Sequence, residues 1–138
     1  MDEKTFQKKY LELQIIDNQI MQIQKQIKQL DDSLMEIEFI RMNLDDFKKM
    51  KKGSEIFAPI ANGIFVKAEL KENDELLVNV GNNVVVKKNV EETKKLLSDQ
   101  LNEIIKARNE MVNNLIHMNE HAEKLEKDLK EMAKTAEK

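Results

Sequence analysis

The sequence predicts an α+β chain: a long antiparallel α-helical coiled-coil hairpin whose two helices are joined through two central β-hairpins. Three observations predict it. Apolar residues recur in alternating steps of three and four towards both ends of the chain. The only proline, Pro59, and all three glycines, Gly53, Gly63 and Gly81, fall in one middle stretch. Between those breakers the apolar period drops to two, the period of a strand.

Composition agrees. Of 138 residues, 36% are charged and only 4% aromatic, against about a quarter charged in an average domain. This suits helices that each bury one narrow stripe. Lys and Arg number 23 and Asp and Glu 26, a net charge of −3. That balance argues against a dedicated polyanion binder, which needs a cationic excess, so no nucleic-acid partner is expected. There is no Cys, which excludes disulfides and thiol chemistry and fits a reducing cytoplasm. The start, MDEKTFQKKY, lacks the apolar region of a signal peptide, and no apolar run approaches membrane-spanning length. The expectation is a soluble cytoplasmic protein with no membrane partner.

The first helix is read over about Thr5 to Lys51. Ile20, Ile23, Ile27, Leu30, Leu34 and Ile37 alternate steps of three and four, and Leu44 follows seven later with Arg41 between. This a/d repeat defines a coiled-coil seam. Phe6, Tyr10, Leu13 and Ile16 continue it with one slip in phase. The run KKMKKG places lysines in a last turn, where cations complement the helix dipole, and Gly53 as the residue just past the end.

The middle is read as four strands, 55–60, 64–70, 75–80 and 84–88. Ile64, Val66, Ala68 and Leu70 alternate with Phe65, Lys67 and Glu69, and Leu76, Val78 and Val80 alternate with Leu77 and Asn79. Asn62-Gly63 is a strong hairpin signal, and Gly81 to Asn83 is a second turn. Pro59 cannot donate to a ladder, so its strand is expected at an edge. The two hairpins are expected to make one four-stranded sheet. Its second face also carries apolar residues, Phe57, Phe65, Leu77 and Val85. One chain cannot cover both faces, so the sheet implies an oligomer.

The second helix is read from about Val90 to near the C-terminus. Leu97, Leu101, Ile104, Arg108, Met111, Leu115, Met118, Ala122, Leu125, Leu129, Met132 and Ala136 form a seam in which only Arg108 is not apolar. Asn89 with Glu92 three residues on resembles a capping box. Some 46 helical residues would span roughly 70 Å, against a radius of gyration of about 14 Å for a compact chain of this size. Helices this long must project as an arm. The chain is thus expected to be one domain, residues 1–138, with helix 1 in 1–52, the hairpins in 53–88 and helix 2 in 89–138.

The β segment IFAPIANGIFVKAELKENDELLVNVGNNVVVKKNVEE resembles that of the α-class prefoldin subunits, archaeal in type. Pro59, Ile60, Gly63, Phe65, Val66, Lys67, Val80, Gly81, Val86, Lys88 and Glu91–Glu92 fit the family pattern, and the likeness covers nearly the whole chain. Asn82-Asn83 departs from the usual small pair after Gly81, and Thr93 stands where Ala is usual. These departures leave room for a divergent α-like paralogue. Two hairpins favour the α class, since β-class subunits have one. The resemblance implies an ATP-independent holding chaperone. Two α and four β subunits would form a hexamer around a double β-barrel hub. Its coiled-coil tips would hold unfolded clients and deliver them to a group II chaperonin. In that frame Phe6, Tyr10, Leu13, Leu125, Leu129 and Met132 are the client-binding candidates at the tips. Phe57, Ile60, Phe65, Val66, Leu77, Val78, Val80 and Val85 are the hub candidates. The alternatives are a self-assembling structural filament and a coiled-coil adaptor.

No enzyme is expected: there is no phosphate loop, no nucleophile elbow and no paired catalytic carboxylates, and adjacent acids such as Asp31–Asp32 do not converge on a helix. The stretch HMNEH, His117 to His121, matches a zinc-peptidase pattern. Both His would flank a solvated seam with no pocket, so no metal or other cofactor is expected. The KKMKK lysines read as a helix terminus, not a nucleic-acid patch. Of the eight Met, Met111, Met118 and Met132 lie in the helix 2 seam and Met35 and Met42 beside the helix 1 stripe, and core filling is the plain reading. Adaptable contact with varied clients is the functional one.

Overall fold

The computed structural model describes residues 3–136. Helix α1 (Glu3–Lys48) leads into strands β1 (Glu55–Ala61), β2 (Ile64–Glu69), β3 (Leu76–Asn79) and β4 (Val85–Lys88), and helix α2 (Val90–Ala136) closes the chain. The predicted order of elements is the order found. The chain divides into two compact units, one of residues 1–34 with 103–138 and the other of residues 35–102.

In the first unit the two helices lie antiparallel. Lys9 pairs with Asp128, Glu12 with His121 and Asp31 with Arg108, so α2 numbers fall as α1 numbers rise. Ile16, Ala122 and Leu125 form the buried centre, with Leu13, Ile20 and Met118 against it. This is the thin core that a single heptad seam provides.

The predicted slip in phase does not occur. Lys9 occupies the seam and is half-buried, while Tyr10 turns outward, 50% exposed. The heptad runs Phe6, Lys9, Leu13, Ile16 without interruption. The lysine stem packs on the seam and its ammonium reaches Asp128 at 3.0 Å, so a charged residue holds an apolar position.

In the second unit α1 ends at Lys48, three residues earlier than predicted. Gly53 is not its terminal glycine. The last turn tightens through Lys49 N–H to Asp46 and Met50 N–H to Phe47, as helix ends often do. The Asn73 amide then donates to the carbonyls of Lys48 and Met50 at 2.9 and 2.8 Å. The cap comes from a loop beyond β2. Gly53, at φ +86°, instead donates its N–H to Leu70 and opens the strand region. The start of α2 is as read: Asn89 Oδ1 accepts the Glu92 N–H at 2.7 Å, the N-cap arrangement. The Thr93 hydroxyl, buried, donates to the Asn89 carbonyl.

The strands do not join into the predicted four-stranded sheet. β1 pairs with β2 and β3 with β4, in two separate two-stranded antiparallel sheets. A two-stranded ladder has only edge strands, so each hairpin leaves backbone groups unpaired. The β1–β2 register shifts between Pro59 and Ala61, which leaves Ile60 as the extra residue of a bulge. Only Gly63 of the Asn62-Gly63 turn is left-handed, at φ +77°. The second turn is the reverse case. Asn82 and Asn83 both hold left-handed φ, 52° and 61°, and the Val84 N–H closes back on the Gly81 carbonyl at 2.9 Å. Two successive left-handed residues make a type I′ turn, and Asn is the residue after Gly that tolerates them best.

Candidate functional site

The sites that matter here are surfaces, and the strand period makes the first of them. In the β1–β2 ladder Pro59 faces Phe65 and Phe57 faces Lys67, so Phe57 and Phe65 share one face. They are 67% and 59% exposed. In β3–β4, Leu77 and Val85 likewise share the outward face, and both are exposed. Ile60, Val66 and Val80 are exposed too, while Val78 is half-buried on the opposite face. Seven of the eight hub candidates therefore present bare apolar surface within the chain. Covering such groups drives association at about 25 cal/mol per Å² of apolar area.

The second surface lies in the first unit, where both helices have their chain ends. Its six candidate residues divide. Phe6 and Tyr10 are exposed and Leu13 is half-buried, but Leu125, Leu129 and Met132 are buried in the seam. Phe6, Tyr10 and Leu11 line a shallow apolar groove with Gln7. Leu11 and Ile15, both exposed, extend this face and are absent from the sequence reading. The signal was there in the i, i+4 spacing of two apolar residues off the heptad seam.

Ion pairs staple the helices in both units. Arg108 pairs with Asp31, and Lys94 reaches Asp45 at 2.6 Å. Lys48 reaches Glu91 at 2.6 Å. Hydrogen bonding to Lys94 holds the Asp45 carboxyl below its ordinary value. Lys48 does the same for Glu91, and Glu91 in turn raises Lys48. Arg41 sits at a seam position with Nη1 on Glu38 at 3.2 Å and its Nε buried without a partner.

The HMNEH histidines do not converge. His121 lies 3.2 Å from Glu12, and His117 points to Glu120 at 3.9 Å. Among the described residues no cluster of His, Cys, Asp or Glu is placed to hold a metal ion. No helix of the described residues is long and apolar enough to cross a membrane.

Two long helices flanking paired β-hairpins, with bare apolar faces and shallow grooves, define a class of subunit suited to contact with other polypeptides. The family of prefoldin subunits matches residues 16–138. The chain belongs to the prefoldin family, non-enzymatic chaperones that work as assemblies of subunits. Among solved structures, the chain is similar to a filamentous PFD from Methanocaldococcus jannaschii, determined by cryo-electron microscopy. The TM-score is 0.76 at 19% identity, over 83% of this chain and 95% of that one. Among curated proteins none matches the sequence.

Proposed function

We propose that this protein is an α-class prefoldin subunit that holds non-native polypeptides without ATP. The observation that carries the reading is the family match together with the exposed Phe6 and Tyr10 at the helix-end unit. The match begins at residue 16, so Phe6 and Tyr10 lie outside it. Phe6 and Tyr10 offer standing apolar contact. Leu125, Leu129 and Met132 become available when the last heptads fray, a low-cost local opening. One such patch binds weakly, and several on one assembly bind tightly through effective concentration.

The two hairpins support the α class. In this proposal the assembly partners are β-class subunits in a cytoplasmic α2β4 hexamer. The outward faces of Phe57, Phe65, Leu77 and Val85 close its β-barrel hub, and a group II chaperonin receives the client. The test is light scattering from a denatured client diluted into the assembled protein. The Phe6→Gln/Tyr10→Gln variant should lose most of the protection, with or without ATP, while keeping its assembly mass. Equal protection by both proteins would remove the holding role from this end.

A second reading is self-assembly into a filament, and the filamentous nature of the similar solved structure favours it. Light scattering coupled to size exclusion, with the chain alone and with a β-class subunit, separates the two. A defined hexamer only in the mixture supports the first reading; a polydisperse polymer of the chain alone supports the second.

A further inference from the structure

Helix α1 carries a second apolar stripe that the seam does not use. Met35, Phe39 and Met42, in the second unit, are 72%, 63% and 64% exposed. Their spacing, i, i+4, i+7, sets them on one face. At 3.6 residues per turn that face is turned well away from Leu34, Ile37 and Leu44, the seam residues of the same stretch. Solvated helix faces rarely carry three large apolar groups in register, and an exposed contiguous patch marks an interaction surface.

The surroundings say what fits there. From Asp31 to Asp46 the helix holds six carboxylates and a single cation, Arg41, in a chain whose overall charge is only −3. Arg41 already pairs with Glu38, and Asp45 with Lys94. Glu36 and Asp46 have no ion-pair partner among the described residues. Asp46 continues the stripe one step beyond Met42, and Glu36 borders it. A second copy of the same face would set acid against acid, which opposes association. An apolar strip bordered by lysine or arginine would meet both features. Thioether side chains flank the one ring, which suits a partner whose apolar residues vary in shape.

We propose that this stripe docks a basic amphipathic helix of a partner protein. Its apolar face would lie on Met35, Phe39 and Met42, with its cations towards Glu36 and Asp46. The mode is helix against helix, with anchors at i, i+4 and i+7. The surface lies in the hairpin-bearing unit, whereas Phe6 and Tyr10 belong to the other unit. The proposal does not depend on that role.

The test uses the full chain in its assembled state and two fluorescent synthetic helical peptides. Both have the same Leu and Ile face; one is bordered by Lys and the other by Glu. Anisotropy should show binding of the Lys peptide, weakening as salt rises, and little binding of the Glu peptide. The Met35→Gln/Phe39→Gln/Met42→Gln variant should lose about tenfold or more in affinity, as loss of central apolar anchors does. It should still protect a denatured client. The Glu36→Lys/Asp46→Lys variant should reverse the peptide preference. Equal binding of the two peptides, or undiminished binding to the triple variant, would overturn the proposal. So would a triple variant of lower assembly mass, which would assign the stripe to contact between copies. Loss of client protection along with peptide binding would overturn it as well, by making the stripe part of the holding surface.

Discussion

Three cations stand where a heptad expects leucine: Lys9, Arg41 and Arg108. Lys9 and Arg108 each reach an acid on the opposite helix, Asp128 and Asp31. Such residues fix the register of a coiled coil at some expense of stability. Arg41 is different, because its acid, Glu38, lies on its own helix and its Nε is left buried and unbonded. Arg41→Leu should therefore stabilise the protein, by about 1 kcal/mol, the net gain expected when an unsatisfied polar group gives way to an apolar one. Urea unfolding followed by circular dichroism checks it. The same measurement separates two groups among the helix-end candidates. Leu125→Ala empties a buried seam position and should cost about 2 kcal/mol, the low end for such truncations because the core is thin. Tyr10→Ala should stay within about 0.5 kcal/mol of the parent, as exposed substitutions do.

At the scale of elements, the ends of the helices explain both what could be read and what could not. The start of α2 was legible because its cap is local: Asn89 binds the N–H of Glu92, three residues on. The end of α1 was not, because its cap, Asn73, lies 25 residues beyond Lys48. Lysines and a glycine close by made a more obvious but wrong terminus. Tyr10 was misplaced for a related reason. An aromatic beside a lysine looks like the seam residue, yet the lysine stem fits the phase and the ring does not. Met35 and Met42 were read as lying beside the seam, with core filling the plain reading, yet both are exposed, and Phe39, which joins them into one stripe, went unread. The candidate surfaces on the strands were legible, since period-two alternation assigns faces directly. That the hairpins stay apart was not, since nothing in a single strand says which edge meets which.

The pairs that tie α1 to α2 in the second unit carry a pH dependence. The Asp45 and Glu91 carboxyls lie below their ordinary values through Lys94 and Lys48. Their contribution is therefore fully present above the ordinary carboxylate range and is lost as pH falls through the lowered values. Lys48 is raised, so its contribution holds below the ordinary lysine range and is lost at high pH. Both pairs are exposed and salt-screened, so the effect is small. Replacing Lys48 and Lys94 with Gln should flatten the acid limb of a melting-temperature profile taken from about pH 2 to pH 6. It should leave less difference at low pH than at neutral pH. An unchanged acid limb would mean that these contacts do not persist in solution.

For the whole molecule, the proposed hub makes assembly the decisive property. Phe65→Asp should leave helicity largely intact and dissociate the assembly, because a carboxylate would be carried into the apolar contact. Size exclusion with light scattering reads the mass, and far-ultraviolet circular dichroism reads the helices. A variant that elutes with the full mass would take Phe65 out of the contact.

The separation of the two ladders has a kinetic consequence. A lone two-stranded hairpin is marginal in water, and among the described residues neither hairpin has a third strand from its own chain. The helices can pair within one molecule, so their recovery after dilution from denaturant should follow a first-order rate law. In the proposed assembly the strands gain neighbours through an encounter between molecules, so their ordering should be second order. Doubling the protein concentration should then leave the half-time of the helical signal unchanged and shorten that of the β-segment signal, so that the two regions of one polypeptide keep different clocks.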